Sequence, residues 1–299
     1  MRKLFVAIVL LVLVVIFARA IFSGTGQVNI QNKYIAVIKI QGPLYSTSID
    51  SLTGQTSGAD DIMRQLIAAR EDDSVAAVLL RIDTPGGSVT AAEEITVEID
   101  RLKQKGKVVV TSMGDVAASA GYWLATCTDY IYANPSTLTG SIGVYVPYTN
   151  LEELYKKIGV RQDRIKSGPY KDMMSTDRPM TTEERQILQN MVNDMYVAFV
   201  KQVSKGRNLP EDKVRQLADG RVYTGKQAKE LGLIDELGNY YDALNGTAKR
   251  AGIEGEPLVK EYKEPFPWYS MLKMNFLGTM ADFLNNYQPK EVIEQKGFY

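Results

Sequence analysis

Ser119 lies in the run Met113-Gly114-Asp115-Val116-Ala117-Ala118-Ser119-Ala120-Gly121-Tyr122-Trp123, where its near neighbours are small. A hydroxyl in that setting has room for a substrate, and at a helix start it sits close to backbone N–H donors that no helical carbonyl takes up. Tight helix packing or simple N-capping would use the same residues. A second glycine-rich junction, Asp83-Thr84-Pro85-Gly86-Gly87-Ser88, follows an apolar run. Two glycines there let backbone N–H groups face a ligand, as an oxyanion hole requires, or they merely turn the chain into a helix. The third junction, Leu138-Thr139-Gly140-Ser141-Ile142-Gly143-Val144, reads as a turn. Downstream, Ser167-Gly168-Pro169-Tyr170-Lys171-Asp172 places a lysine in a loop, and a lone loop lysine is ordinarily solvated.

The chain contains no histidine and a single cysteine, Cys127. Ser-His-Asp and Cys-His sites are therefore impossible. A serine hydroxyl is a weak nucleophile that needs a base, and lysine is the remaining partner. The same two counts remove the usual zinc ligands and any intrachain disulfide, so no metal and no cofactor are expected. Lys plus Arg is 35 and Asp plus Glu is 35. That balance argues against a nucleic-acid partner, which needs a basic face to neutralise phosphates.

Positioning such residues falls to an α/β domain, because short β-branched runs alternate with longer amphipathic stretches. The pattern predicts strands over Tyr34–Ile40, Val75–Ile82, Lys107–Ser112 and Tyr130–Ala133. It predicts helices over Ala59–Arg70, Ala91–Lys105, Leu151–Ile158, Thr182–Lys205 and Lys226–Leu231, with a further helical turn opening at Pro210. The domain spans 33–264, after a polar linker over 23–32. Residues 265–299 form a tail in which Trp268, Met271, Leu272, Phe276, Leu277 and Phe283 make an amphipathic, helix-like pattern. That tail is expected to dock on a neighbouring subunit or on the membrane, or to pack on its own domain.

Residues 1–22 are a separate object. Leu4 to Ala18 is unbroken apolar sequence, interrupted by Arg19 and resumed by Ala20, Ile21 and Phe22. As a helix, Leu4 to Phe22 would span roughly 28 Å, close to the roughly 30 Å hydrocarbon core of a bilayer. An uncleaved anchor is expected, and a cleaved signal peptide ending at Ala18-Arg19-Ala20 is the rival. Arg2 and Lys3 precede the run, which places the N-terminus in the cytoplasm and the body of the protein outside.

Five motifs in order carry a resemblance: Asp83-Thr84-Pro85-Gly86-Gly87, Ala118-Ser119-Ala120-Gly121-Tyr122, Gly140-Ser141-Ile142-Gly143, Ser167-Gly168-Pro169-Tyr170-Lys171-Asp172, and Gly220-Arg221-Val222-Tyr223-Thr224-Gly225 continuing to Gly232-Leu233-Ile234-Asp235. Over roughly Tyr34 to Gly252 the chain resembles the short bacterial form of the signal peptide peptidase A family. The resemblance implies a Clp protease/crotonase-like spiral of ββα units preceded by one transmembrane helix. It implies cleavage of signal peptides left in the membrane, with Ser119 as nucleophile and Lys171 as general base. Ser141 would orient the lysine, and backbone N–H groups of Gly86 or Gly87 and of Ala120 would form the oxyanion hole. The family commonly has Gly-Gly after the serine, so the Ala120 methyl is expected to narrow the substrate channel. A homo-oligomeric ring is implied too, with each site shared between subunits. Two other functions use the same fold: a crotonase-type acyl-CoA enzyme, against which the export segment speaks, and a catalytically silent membrane-tethered scaffold.

A lysine base must be neutral, whereas an ordinary lysine keeps its proton to about pH 10.4. Desolvation can lower that by about 3 to 5 units, and a carboxylate within about 4 to 6 Å works the other way. Asp172 is therefore expected to be a surface charge that an extended Tyr170–Asp172 segment directs away from the site.

Overall fold

The computed structural model describes residues 33–47, 50–51, 54–55 and 58–262. The anchor, the linker and the tail expected over 1–22, 23–32 and 265–299 lie outside the described residues. Among the described residues, no helix is long and apolar enough to cross a membrane.

Alternation decides the central strands. In β1 (Tyr34–Gln41), Ala36, Ile38 and Ile40 enter one apolar cluster while Ile35 and Val37 enter another on the opposite face, because successive strand side chains point to opposite faces. In β2 (Val75–Thr84), Val78, Leu80 and Ile82 join the first cluster and Leu79 the second. Helix α1 (Ala59–Glu71) buries Ile62, Leu66 and Ala69, and α2 (Val89–Gln104) buries Ile95, Ile99 and Leu102. That three-and-four spacing is the apolar stripe of an amphipathic helix, and both stripes cover the first face.

The rest of the described chain comprises β3 (Val108–Ala118), α3 (Ala120–Thr126), β4 (Tyr130–Ala133), β5 (Leu138–Gly140), α4 (Glu152–Ile158), α5 (Thr182–Arg207), α6 (Glu211–Leu217), β6 (Val222–Thr224), α7 (Gly225–Glu230), β7 (Glu236–Leu237), α8 (Tyr240–Arg250) and β8 (Leu258–Glu261). A separate two-stranded ladder pairs Asp50–Ser51 with Gly54–Gln55. The eight strands form one sheet in the order β8-β1-β2-β3-β4-β7, with β5 paired to β3 and β6 paired to β5. All pairings are parallel except β5 with β6. The fold is thus α/β with a mixed sheet.

Three local expectations are corrected. The third glycine-rich junction is not only a turn, since Leu138–Gly140 is a strand bonded on both sides. Helix α8 went unread because it buries only Ala243, Leu244, Thr247 and Ala248, too short an apolar stripe to stand out. Tyr170–Asp172 is a turn, closed by Met173 N–H donating to Tyr170 O at 3.1 Å, rather than an extended segment.

Strand β3 is the element that matters most for function. It runs past the expected end at Ser112 to Ala118, and its two halves have different neighbours. Val110–Ser112 pair with β4, whereas Val116–Ala118 pair with β5. The change of neighbour falls at an irregularity: Ile82 lies opposite Met113, but Thr84 lies opposite Ala117, so β3 carries extra residues there. The Asp83 carboxylate fills the bulge and accepts the Val116 N–H at 3.1 Å. A Cβ on Gly114 would come within 2.8 Å of Asp83 Cγ, so only glycine leaves room. Bulges bend and re-aim strands, and this one directs the end of β3 into a cleft.

Candidate active site

Ser119 is the single residue between β3 and α3. Its backbone is at φ 53°, ψ −122°, a conformation that costs an L-residue on the order of 1–3 kcal/mol and that the surroundings must hold in place. They do so through Ser119 N–H donating to Gly140 O at 2.9 Å and Trp123 N–H donating to Ser119 O at 2.9 Å. Tyr122, fully buried, donates its hydroxyl to Leu233 O at 2.8 Å and fixes the helix behind the serine. Ser119 occupies the N-cap position, yet its side chain makes no capping bond. Simple N-capping is therefore excluded. The hydroxyl is left free at the floor of the cleft.

That cleft has a volume of about 820 Å³. Gly86, Gly87 and Ser141 line it together with Ser119, so the structure brings four of the expected site residues to one place. Gly86 approaches so closely that a Cβ there would lie 2.6 Å from Ser119 Cβ, and its φ of +110° is one that L side chains rarely adopt. The Gly86 N–H donates to Thr84 Oγ1 at 3.1 Å. Leu44 brackets the next residue, donating its N–H to Gly86 O and accepting from Ser88 N–H, both at 2.8 Å. Ala120, as the first residue of α3, has no intrahelical acceptor for its N–H. Its methyl, however, is buried in the core cluster and is absent from the cleft wall. The helix thus turns that side chain toward the core.

Ser141 also has a positive φ, 49°, and its N–H donates to Arg221 O at 2.9 Å. The walls include Pro43, Tyr45, Tyr145, Val192 and Tyr196, and Asp219 is the one charged residue among the described residues of the wall. Arg221 beside it holds the Asp219 carboxyl below the usual range. Val192 and Tyr196, four apart on α5, went unread as wall residues because the same spacing serves a core face.

Lys171 does not line this cleft. It stands on a separate hollow of about 410 Å³ with Arg164, Lys166 and Asp172, and it is exposed. Nor is Asp172 the free surface charge expected. Its side chain is 9% exposed and is paired with Lys166 Nζ at 2.7 Å and Arg178 Nη2 at 2.9 Å. Arg178, with its other Nη, also reaches Glu184 at 2.9 Å, whose carboxylate takes the Thr181 N–H in the capping box of α5. Hydrogen bonds from Arg178 hold the Asp172 and Glu184 carboxyls well below the usual range, Glu184 down to about 2. Arg164 does the same for Asp177 at 2.6 Å.

Carboxyls lowered on folding contribute stability above their unfolded values near pH 4 and lose it as pH falls through the folded ones. The segment carrying Lys171 should therefore stay fixed from about pH 8 down to about pH 4 and loosen below that. Pulse hydrogen exchange at stepped pH should show amides of 164–179 losing protection below about pH 4 before those of β1 to β3. Loosening near pH 6 would contradict the assignment.

Among the described residues, no group of carboxylate and thiol side chains could hold a metal ion. Cys127 is buried, and burial pushes its thiol up to about 12, so it is no rival nucleophile.

A serine hydroxyl free of capping, on a held strand-to-helix turn and in a cleft lined by glycines, suits a serine peptidase. Residues 33–138, which contain β1 to β3 and both glycine-rich junctions leading to Ser119, match the Clp protease family model. The chain belongs to peptidase family S49, whose model matches residues 101–254. It is 42% identical over 231 residues to a protein of Synechocystis sp. named as a protease, covering 76% of this chain and 83% of that one. It is 35% identical to protease 4 of Haemophilus influenzae, over 90% of this chain but 43% of that one. A protein of Enterococcus faecium bearing the name signal peptide peptidase SppA is 35% identical, over 81% of this chain and 73% of its own length.

Proposed function

We propose that the chain is a membrane-anchored endopeptidase that cleaves signal peptides remaining in the bilayer after secretion, using Ser119 as nucleophile and Lys171 as general base. Its fold would be the Clp protease/crotonase-like spiral of ββα units behind one N-terminal transmembrane helix, with the catalytic domain outside the cytoplasm. The Lys171 amine takes the Ser119 Oγ proton as Oγ attacks the scissile carbonyl. Ser141 orients that amine. Backbone N–H groups of Gly87 and of Ala120 receive the oxyanion, since Thr84 Oγ1 already takes the Gly86 N–H. The proton then passes to the leaving amine, and water hydrolyses the acyl-enzyme.

The observation that carries this reading is the uncapped Ser119 hydroxyl in a cleft lined also by Gly86, Gly87 and Ser141, in a chain without histidine. Tyrosine, proline and valine walls suit an apolar extended peptide. The apolar run over 4–18 and the name of the Enterococcus faecium relative support the membrane substrate.

The separation of Lys171 from the cleft supports a ring in which a second copy supplies the lysine. From Gly143 to Glu183 no residue is buried. This arm leaves Tyr145 83%, Ile158 60% and Ile165 107% exposed, an apolar surface that a neighbouring copy of the chain would cover.

A serine-directed phosphonate tests the activity. Mass spectrometry of the treated full chain should place one adduct on the peptide containing Ser119. A scaffold or an acyl-CoA enzyme of the same fold would leave that peptide unmodified.

A further inference from the structure

Lys171 and Asp172 are consecutive in a tight turn, with Lys171 N–H donating to Gly168 O at 3.4 Å and Ser175 N–H donating to Asp172 O at 3.1 Å. An unpaired carboxylate so near a lysine favours the ammonium form, which cannot act as a base. In the structure the carboxylate is fully taken up elsewhere. Asp172 Oδ1 accepts from Lys166 Nζ at 2.7 Å and Arg178 Nη2 at 2.9 Å, while Oδ2 accepts from Arg178 Nε at 3.2 Å. Arg178 Nη2 also donates to the Asp172 backbone oxygen at 3.3 Å.

Arg178 is itself fixed. Tyr148 donates its hydroxyl to the Arg178 carbonyl at 2.6 Å, and Nη1 donates to Glu184, whose side chain is 2% exposed at the start of α5. The charged groups gathered about Asp172 are thus Lys166 and Arg178, with Glu184 behind Arg178 and the Arg164–Asp177 pair alongside.

We propose that Arg178 is a positioning residue for the lysine base: it draws the Asp172 carboxylate away from Lys171 and pins the Lys171 turn to the start of α5. The proposal rests on the Ser119–Lys171 reading of the site. Lysine at 178 can meet one carboxylate but cannot fork between two, because only the planar guanidinium presents several donors in fixed directions.

The test is the pH dependence of peptide hydrolysis by the full-length protein and its variants. In Arg178→Ala the acid limb of kcat should move up by about one pH unit, so that turnover on that limb falls about tenfold while KM changes little. Arg178→Lys should fall between the two. Removing the charge in the double variant Arg178→Ala with Asp172→Asn should return the acid limb to its original position. A purely structural role would lower turnover at every pH and leave the limb where it was, so an unmoved limb, or one that Asp172→Asn does not restore, overturns the proposal. Should Arg178→Ala fail to fold, Arg178→Lys decides alone: an unshifted limb overturns the proposal. Lys171→Ala is measured in parallel. If it retains turnover, the dyad reading has failed. If it is inactive and the limb in the Arg178 variants stays still, only the role of Arg178 has failed.

Discussion

Ser119→Ala is expected to lower peptide hydrolysis by roughly 10⁴-fold or more, and Lys171→Ala by a similar factor, because a nucleophile and its base act as a unit. Neither change should disturb the fold. Ser119 is only partly buried and its side chain makes no hydrogen bond within the cap, while Lys171 is exposed. Alanine at 119 removes one hydroxyl and keeps the backbone bonds to Gly140 and Trp123. Ser141→Ala should lose less, about 10- to 100-fold, the worth of one hydrogen bond to a charged or strongly polarised group. Steady-state rates on purified protein, with far-ultraviolet circular dichroism as the control for folding, measure all three. Substantial turnover by folded Ser119→Ala or Lys171→Ala would remove the dyad.

Mixing those two inactive variants should restore activity. If Ser119 of one copy works with Lys171 of the next, random mixed rings pair an intact serine with an intact lysine at roughly a quarter of neighbours. Hydrolysis should then return toward that fraction of the unmodified rate. Sites built within one chain recover nothing, since each chain lacks one half of the dyad. The cleft that holds Ser119, Ser141, Gly86 and Gly87 without Lys171 motivates the expectation. Native mass spectrometry with one variant isotopically labelled shows whether mixed assemblies form. Mixed assemblies without activity would place both groups in one chain and leave the dyad standing.

Part of the chemistry was legible in the residues. The absence of histidine leaves lysine as the partner for a serine, while Ser119 and Gly86-Gly87 read equally as a helix cap and a turn until the five motifs are taken together. The α/β class was legible as well, since β1 and β2 owe their two buried faces to runs such as Tyr34–Ile40 and Val75–Ile82, whose apolar character is local. What the residues did not announce is long-range. That β3 continues past Ser112 depends on Asp83 filling its bulge and on Leu138–Gly140 lying beside Val116–Ala118, contacts between segments far apart in sequence. Helix α8 depends on the second face of the sheet being there to bury Ala243 and Leu244.

The kind of proton chemistry open to a serine is thus a property of the sequence, because a chain without histidine leaves lysine as the base, while the choice of Lys171 among the lysines came from the family resemblance. The accessibility and charge of the reacting groups are properties of the fold. Only the tertiary structure turned the Ala120 methyl inward, freed the Ser119 hydroxyl from capping, and set Asp172 against Arg178 and Lys166 instead of in solvent. The physical reason is that a carboxylate's effect on its neighbour depends on which cations reach it first, and those cations arrive from turns and helix ends that sequence spacing does not bring together.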